Sequence, residues 1–448
     1  MGSEWQTVKL KDIVNFNTGK LNSNSANDGG LYPFFTCSPE TLRINAHAFD
    51  CEAVLLAGNN ANGVFPVKYY KGKFNAYQRT YVITPKANVE LDVKWLFFQI
   101  QFVTNILQKL SVGTATKFLT KQILDSFEVQ LPPIEHQRKI SNHLWTLLEK
   151  ENLNRQINQT LEQMAQTLFK SWFVDFDPVI DNALDAGNPI PDELQHRAEA
   201  RKAVRESEGF KPLPDDVRQL FPDAFEESEL GWVPKGWETK PISSLINLIG
   251  GGTPKTSEES YWGGEIPWFS VVDAPNDSNV FVLDTEKKVT EAGVANSSTK
   301  VLRVGTTIIS ARGTVGKCAL VATPMAMNQS CYGVVGAEGV HDYFVYYLLR
   351  QSVKQLQQRS HGSVFSTITR DTFSSLKLAT GNVSLTQLFG NTISPWFEKI
   401  LANNQQQSSL ERLRDTLLPK LISGELRLDD VELAVEQEAV SAEQQNER

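Results

Sequence analysis

Long apolar runs are missing from this 448-residue sequence. The most apolar stretch, Trp95–Leu107, is interrupted by Gln99, Gln101, Thr104 and Asn105. It falls short of the roughly 18 clean apolar residues that a membrane-spanning helix requires. The first residues also lack the basic region and apolar core of a secretory signal. We therefore expect a cytoplasmic protein.

Cysteine is scarce, and the four cysteines are Cys37, Cys51, Cys318 and Cys331. None of them belongs to a CxxC pair, and no histidine stands at zinc-finger spacing. We therefore expect reduced, partly buried thiols and no metal site.

The common catalytic motifs are also missing. A P-loop ending at Gly316-Lys317 would need glycine where Ala311 stands. The string nearest to an amino-methyltransferase loop, Leu131–Ile134, has neither the polar lead residue nor the aromatic residue of that loop. No carboxylate cluster resembles a nuclease centre, and the six histidines form no HExxH pattern. The sequence therefore predicts a protein that is not an enzyme.

Acidic residues are concentrated in two places. The chain carries a net charge of −8, but residues 176–231 alone carry −8 and residues 384–448 carry −5. Residues 1–134 and 232–383 carry +3 and +2, and residues 135–175 are neutral. The net charge therefore does not exclude binding to nucleic acid.

One long repeat is present twice. The segment beginning at Trp5 parallels the segment beginning at Trp237 at an offset of 232, which also aligns Gly19 with Gly251. From Gly113 onward the offset is 249 and persists for about sixty residues. A duplicated unit predicts an approximate two-fold relationship within the chain.

Each copy consists of a globular part followed by a helix. Turn-rich segments and short apolar runs favour a mixed α and β structure in the globular parts. The predicted strands are Ala53–Ala57, Thr80–Thr84, Val301–Ser310 and Tyr332–Val335. The sequence predicts globular domains at 1–134 and 232–383, long helices at 135–175 and 384–427, an acidic linker at 176–231 and an acidic, disordered tail at 428–448.

The helical segments carry apolar residues every seven positions, a pattern typical of coiled coils. In the first copy the stripe includes Ile140, Leu147, Leu161 and Leu168, with Ile157, Met164, Leu144, Ala165 and Trp172 beside it. About 30 residues are expected in each helix, and Pro395 is expected near the start of the second, where proline is tolerated. Asn154 and its counterpart Asn403 either fix the register between the helices or face solvent.

Three polar loops recur in both globular parts. Gly58–Gly63 corresponds to Ala311–Lys317, Asn75–Arg79 to Ala326–Gln329, and Gly113–Lys117 to Gly362–Ser366. Glycine permits close approach of a ligand, and Asn and Arg can read base edges. The candidate DNA-contacting residues are Lys20, Asn59, Asn60, Asn62, Arg79, Thr114, Thr116 and Lys117 in the first copy, and Lys255, Thr256, Arg312, Thr314, Lys317, Asn328, Gln329, Arg359, Ser363 and Ser366 in the second.

Each of these loops alone is typical of an ordinary solvated turn. For Arg312 the alternative to DNA contact is a surface ion pair worth under about 1 kcal/mol. The occurrence of the loops in both copies favours a binding role.

The order of these segments resembles the specificity subunit of type I restriction-modification systems. Leu131–Gln137 leads into the first helix, and Thr167–Pro178 ends it. Glu229–Trp237 opens the second copy, and Asp415–Glu425 lies near its end. One departure is Ser384–Gln387, which replaces the Pro-Pro-Ile-Glu-His-Gln string of the first copy.

The resemblance implies an α+β chain with two target-recognition domains, each reading half of a bipartite, asymmetric site in double-stranded DNA. It implies that the two long helices form an antiparallel coiled coil that sets the gap between the half-sites. Two modification subunits would dock on this chain, and restriction subunits would bind through them. The chain itself would hold no catalytic residue and no cofactor. S-adenosylmethionine, ATP and magnesium would act in the partner subunits, which methylate adenine and cleave DNA.

An alternative hypothesis is a scaffold that does not bind DNA and docks partners through its paired long helices. DNA binding weakens steeply with salt because counterions are released, whereas a protein scaffold need not behave so.

Overall fold

The structure is a computed structural model that describes residues 5–61, 63–114, 116–275, 279–359 and 367–426. The chain divides into two compact units. Unit 1 is Met1–Leu153 with Gln407–Arg448, and unit 2 is Asn154–Gln406. Each unit therefore includes a stretch of both long helices. The domain limits drawn from the sequence stay predictions, and the acidic tail lies outside the described residues.

Unit 1 is built on a six-stranded sheet covered by a long helix. Its strands are β1 (Gln6–Lys9), β2 (Val14–Thr18), β3 (Tyr32–Phe35), β4 (Leu42–Ile44), β5 (Phe49–Ala57), β6 (Asn59–Asn60), β7 (Val67–Ala76), β8 (Thr80–Pro85), β9 (Lys117–Phe118) and β10 (Glu128–Leu131), and its helices are α1 (Leu10–Ile13), α2 (Val93–Leu110), α3 (Lys121–Ser126) and the shared α4 (Ile134–Phe173). The sheet order is β2-β8-β5-β7-β3-β4. Trp95, Leu96 and Phe98 of α2 are fully buried in the core, together with Val54 and Leu56 of β5. The strands predicted at Ala53–Ala57 and Thr80–Thr84 are confirmed within β5 and β8.

Unit 2 repeats this plan with additional elements. Its strands are β11 (Phe225–Ser228), β12 (Gly231–Pro234), β13 (Glu238–Pro241), β14 (Ile246–Gly250), β15 (Trp262–Phe269), β16 (Phe281–Val282), β17 (Lys288–Val289), β18 (Thr307–Ser310), β19 (Cys318–Val321), β20 (Ala326–Met327), β21 (Cys331–Gly336) and β22 (Lys377–Thr380), and its helices are α5 (Asp177–Ala186), α6 (Gln195–Glu206), α7 (Asp215–Arg218), α8 (Glu291–Ala295), α9 (Asp342–Arg359), α10 (Arg370–Ser375) and the shared α11 (Val383–Ser423). The main sheet has the order β14-β21-β18-β19-β16, and β17-β15-β20 form a smaller one. The α+β prediction is confirmed.

One predicted strand is too long. The run Val301–Ser310 was expected to form a single strand, but only Thr307–Ser310 does so. Leu302 makes an isolated bridge to Met325, and the chain then turns at Gly305, whose φ is 83°. Glycine tolerates this left-handed conformation, so it separates the bridge from the strand. The strand predicted at Tyr332–Val335 is confirmed within β21.

The repeat predicted from the sequence is confirmed in backbone detail. The order β2-β8-β5 in unit 1 matches β14-β21-β18 in unit 2, with antiparallel pairing in both. Leu10 N donates to Phe127 O at 2.9 Å, and Ile242 N donates to Leu376 O at 2.8 Å. A threonine side chain caps α3 in unit 1 and α10 in unit 2.

The departure at Ser384–Gln387 preserves one contact with a different side chain. In unit 1 the Gln137 Oε1 accepts from the backbone N–H of Asp92 at 2.9 Å. In unit 2 the Thr386 Oγ1 accepts from the backbone N–H of His341 at 3.4 Å. Both pairs are related by the offset of 249, so the two long helices begin against the same feature of their units.

Both long helices exceed the predicted length of about 30 residues. Helix α4 has 40 residues and α11 has 41. Pro395 was expected near the start of the second helix, but it lies well inside α11. A proline there removes one backbone hydrogen bond. The neighbouring residues Ile393 and Phe397 are fully buried.

The long helices pack antiparallel within each unit. In unit 1, Ile140 and Leu144 of α4 share a core with Leu418, Leu421 and Ile422 of α11. In unit 2, the later α4 residues pack against the earlier α11 residues in the same sense, as the residues Ala165, Phe169, Trp172, Phe389, Ile393 and Phe397 show. The antiparallel pairing is therefore confirmed.

Polar side chains occupy the middle of the helix pairs. In unit 2, Asn154 donates to Gln406 Oε1 at 2.8 Å, and Asn158 donates to Asn404 Oδ1 at 2.7 Å. Asn403 donates to Asn158 Oδ1 at 2.8 Å. Asn154 and Asn403 are only 1% and 2% exposed, so they do not face solvent. Their role in fixing the register stays a prediction.

The stripe read from the sequence is only partly correct. Met164 was expected beside the buried stripe, but its side chain is 45% exposed. In unit 1 the buried Glu151 instead forms an ion pair with Arg414 at 2.9 Å. The seven-residue apolar pattern did not anticipate a charged residue at the helix interface.

The acidic segment after α4 is folded through ion pairs. Aspartates spaced four residues apart on α5 face arginines spaced four apart on α6, so that Arg197 pairs with Asp177, Arg201 with Asp181 and Arg205 with Asp185. Within this segment, a 3₁₀ turn at Asp192–Leu194 leads directly into α6. The arginines thus offset part of the local negative charge.

The sequence predicts reduced, partly buried thiols. All four cysteines are free of disulfide bonds, and burial raises the pKa of Cys318 and of Cys331 to about 12.

No helix in the described ranges is long and apolar enough to cross a membrane. Over the same ranges, no three His, Cys, Asp or Glu residues are grouped so as to hold a metal ion.

Candidate nucleic-acid interface

Three loops of unit 1 meet at the backbone of Gly58. Its N–H donates to the carbonyl of Arg79 at 2.8 Å, and its carbonyl accepts from Leu119 N at 2.9 Å. The strand β6 that follows pairs with β9, which places Asn59 opposite Phe118 and Asn60 opposite Lys117. We call the segments Gly58–Asn60, Tyr77–Arg79 and Thr116–Leu119 the loop junction of unit 1. Two of the predicted loops, Gly58–Gly63 and Gly113–Lys117, therefore contain residues of the short strands β6 and β9.

The side chains of this loop junction differ in how far they are engaged. Asn59 Oδ1 accepts from the thiol of Cys37 at 3.0 Å. The exposed Arg79 guanidinium lies over the Phe118 ring, 5.3 Å from its centroid. Among the described residues it makes no side-chain hydrogen bond or ion pair, so its N–H donors remain available.

The other candidates of unit 1 lie within the loop junction or close to it in sequence. Lys20 is exposed, and its neighbour Leu21 forms a bridge with Tyr77. Thr114 is exposed, and Thr116 and Lys117 are half-buried. The remaining candidate, Asn62, lies outside the described residues.

Unit 2 builds the same arrangement at Ala311. Its N–H donates to Ser330 O at 2.8 Å, and its carbonyl accepts from Ile368 N at 2.9 Å. Arg312 continues this loop and forms a backbone bridge with Thr367. We call the segments Ala311–Arg312, Asn328–Ser330 and Thr367–Ile368 the loop junction of unit 2. The backbone contacts at Gly58 and Ala311 are therefore equivalent in the two copies. The correspondence of Gly113–Lys117 with Gly362–Ser366 stays a prediction, because Gly362–Ser366 lies outside the described residues.

Arg312 is exposed at this loop junction. The alternative interpretation placed it in a surface ion pair. Among the residues that the structure describes, its guanidinium forms neither an ion pair nor a hydrogen bond, so the choice between the two interpretations stays with the DNA-binding test. Arg312 and Arg79 thus lie exposed at equivalent loop junctions, and neither guanidinium forms a hydrogen bond or ion pair with a described residue.

A glycine packs tightly against a backbone carbonyl at or next to each loop junction. A Cβ added at Gly251 would lie 2.0 Å from Asn328 O, and one added at Gly19 would lie 1.6 Å from Ala76 O. Next to Gly251, the Thr253 hydroxyl donates to Gln329 Oε1. The contact engages one candidate, Gln329, and holds its loop.

The remaining candidates of unit 2 differ in exposure and in the contacts that hold them. Lys255 and Thr256 are exposed just beyond Thr253, and Thr314 is exposed at the tip of the Arg312 loop. That loop is closed at its base by the Ser310 N to Lys317 O hydrogen bond of 2.9 Å. Half-buried Asn328 holds its own turn, because its Oδ1 accepts from Ser330 N at 3.0 Å.

Arg359 lies in a cavity that reaches Thr367 of the unit 2 loop junction. Its guanidinium donates to the carbonyl of Ser375, and it lines a cavity of about 580 Å³ with polar residues of the α10 region, namely Thr367, Thr369, Asp371, Thr372 and Ser375. The neighbouring candidates Ser363 and Ser366 lie outside the described residues.

Lys68, near the unit 1 loop junction, has a lowered pKa. Burial lowers the pKa of Lys68 to about 8, although the nearby Cys37 and Glu40 oppose the shift. Its ammonium donates to Glu40 O at 2.8 Å and to Thr41 Oγ1 at 3.1 Å. Lys68 therefore supports the structure behind the loops and carries less than a full charge near pH 8.

The sequence did not identify three supporting residues. Phe118 follows Lys117 directly, yet no pattern indicated its contact with Arg79. Cys37 and Thr253 hold Asn59 and Gln329 from segments distant in sequence. Such contacts depend on tertiary folding, and a single sequence carries no periodic signal for them.

Comparisons with known proteins agree with the duplicated architecture. The sequence model of the type I restriction modification DNA specificity domain matches residues 2–163 and 234–412, one match in each copy. The type I restriction enzyme HindI specificity subunit of Haemophilus influenzae is 30% identical over 371 residues, which cover 77% of this chain and 80% of that relative. The type I restriction enzyme EcoDI specificity subunit of Escherichia coli is 38% identical over 165 residues, covering 37% of this chain and 35% of that one.

A solved structure shows a similar fold. The crystal structure of the type I restriction-modification system S subunit from M. genitalium aligns with a TM-score of 0.61 at 14% identity. The alignment covers 94% of this chain and 96% of that one. Because the two family matches together span more than half of the sequence, the chain belongs to the type I restriction-modification DNA specificity family.

Proposed function

We propose that this chain is the DNA-recognition subunit of a type I restriction-modification complex, and that each loop junction reads one half of a bipartite, asymmetric target. The observation that carries the proposal is the duplicated loop junction. Gly58 and Ala311 make equivalent backbone contacts, and each loop junction exposes a guanidinium, that of Arg79 or Arg312, which forms no hydrogen bond or ion pair with any described residue. Arginine binds phosphate or the guanine edge through two parallel hydrogen bonds.

The proposed partners follow from family membership. We place two modification subunits on the chain, since the repeat offers two similar surfaces, and restriction subunits bound through them. In this proposal S-adenosylmethionine, ATP and magnesium belong to those partners, which methylate adenine and cleave DNA in the cytoplasm. The chain itself directs these activities to a DNA sequence.

The scaffold alternative is less well supported. The buried faces of α4 and α11 are already used inside the units, where Asn158 contacts both Asn403 and Asn404. A scaffold would also leave the polar loop junctions without a role. Membership of a DNA specificity family favours DNA recognition.

Alanine substitutions at Arg79 and Arg312 test the proposal. We expect Arg312→Ala to weaken or relax only the half-site read by unit 2, and Arg79→Ala only the half-site read by unit 1. A lost base contact corresponds to about 1–3 kcal/mol, or roughly 5-fold to 150-fold in discrimination. The measurement is binding of the complex with its modification subunits to DNA altered in one half-site at a time.

Each variant serves as the control for the other half-site. Arg303→Ala is a further control, because this exposed residue pairs with Asp342 at 2.7 Å away from the loop junction and should leave both half-sites unchanged. Unaltered affinity and target for both Arg79→Ala and Arg312→Ala would contradict the proposal. Equal loss at both half-sites from either variant would indicate lost assembly instead.

A further inference from the structure

Arg79 is held in place from two sides. Its backbone carbonyl accepts from Gly58 N at 2.8 Å and lies 3.4 Å from the Cys37 sulfur. Its guanidinium lies over the Phe118 ring at 5.3 Å. The main chain and the flat face of the side chain are therefore both anchored, whereas the donor-bearing edge makes no hydrogen bond to any described residue.

Phe118 is itself fixed by backbone contacts. Its N–H donates to Val112 O at 2.8 Å, and its carbonyl accepts from Val112 N at 3.0 Å. It also pairs with Asn59 in the β6–β9 ladder. The backbone that carries the ring is therefore fixed, next to a loop that a hydrogen bond from Gly58 joins to Arg79.

Stacking restricts a long side chain without consuming its hydrogen-bond donors. A guanidinium attracted to a ring face keeps its N–H groups directed outward in its own plane. These donors match the N7 and O6 acceptors of guanine in the major groove. A phosphate contact would not require such orientation, because phosphate accepts from many directions.

We propose that Phe118 is a positioning residue that orients Arg79 to read one guanine in the half-site recognised by unit 1. The inference rests on the proposed function and adds a base identity and a supporting residue to it. Among the described residues, the other arginines that contact a ring are Arg201 and Arg350, and Arg312 is not one of them. Among the described residues, the stacked arginine at a loop junction is therefore found in unit 1 only.

The test measures base preference at each position of both half-sites for the complex with its modification subunits. Phe118→Leu keeps the backbone ladder and removes the ring. We expect the preference for guanine at a single position to fall about 2-fold to 5-fold, the range for loss of a cation–π contact at an exposed site. The half-site read by unit 2 stays unchanged.

Two further variants separate positioning from folding. Phe118→Trp retains an aromatic face and should restore the guanine preference, which a general loss of stability would not allow. In an Arg79→Ala background, Phe118→Leu should have no additional effect on base preference. Thermal unfolding of each complex confirms that the variants are folded.

The outcomes distinguish this inference from the proposed function. If Arg79→Ala relaxes one position while folded Phe118→Leu does not, the positioning role is overturned and the DNA-recognition function stands. If Arg79→Ala weakens binding equally for every base, Arg79 holds a phosphate and the inference is also overturned. If neither half-site exists as a separable target, the proposed function itself fails.

Discussion

Gly251→Ala is expected to abolish recognition of the half-site read by unit 2, because the loop junction cannot accommodate a methyl group there. The added Cβ would lie 2.0 Å from Asn328 O and 2.7 Å from Asn328 C. The Asn328 backbone cannot withdraw easily, since its N–H donates to Phe269 O at 2.9 Å. Overpacking against fixed backbone should cost about 3 kcal/mol or more locally. Mapping the DNA target of the variant complex, together with its thermal unfolding, measures the effect.

Gly250→Ala is the matched control, because no atom lies within 4 Å of the Cβ it would add. The same comparison exists in unit 1. There Gly19→Ala would place a Cβ 1.6 Å from Ala76 O, whereas Gly29→Ala meets nothing closer than 3.7 Å. Gly19→Ala should impair only the first half-site. An unaltered target for both Gly251→Ala and Gly19→Ala would refute the role of the loop junctions.

Arg350→Ala should destabilise unit 2 by about 3 kcal/mol, since it leaves the Glu162 carboxylate buried and unpaired. Arg350 Nη1 lies 2.5 Å from Glu162 Oε1, and the two side chains are only 25% and 9% exposed. Burial favours the neutral form of Arg350, but the nearby Tyr346 and Glu162 outweigh it and keep the pKa of Arg350 above its usual value. Chemical denaturation of the purified chain reports the loss.

Two controls define the origin of this effect. The double variant Glu162→Leu with Arg350→Met removes both charges and should recover most of the stability, because buried pairs are often replaceable by apolar residues. Arg303→Ala breaks an exposed pair with Asp342 and should cost less than about 1 kcal/mol. A cost for Arg350→Ala as small as that for Arg303→Ala would show that the buried pair contributes little.

The repeat was the most reliable guide that the sequence offered. Aligning Gly19 with Gly251 anticipated two glycines that both approach a carbonyl closely. Matching Gly58–Gly63 with Ala311–Lys317 anticipated equivalent backbone contacts, although glycine and alanine stand at the central position. Duplication preserves backbone geometry even where side chains differ, so alignment of the two copies predicted structure that composition could not.

The predictions that were wrong involve tertiary contacts or local turns. A turn at Gly305 shortened the strand expected at Val301–Ser310. Burial of Glu151 and Glu162 in the helix pairs could not be read from an apolar stripe, because each depends on an arginine distant in the sequence. The ring of Phe118 was missed for the same reason.

Methylation mapping of DNA from cells that contain this chain and its modification subunit tests the central claim most directly. Two loop junctions in one chain predict a single target motif with two different specified parts separated by unspecified bases, and with methylated adenine. A motif consisting of one continuous block, or methylation that is unaffected by removal of this chain, would contradict the account.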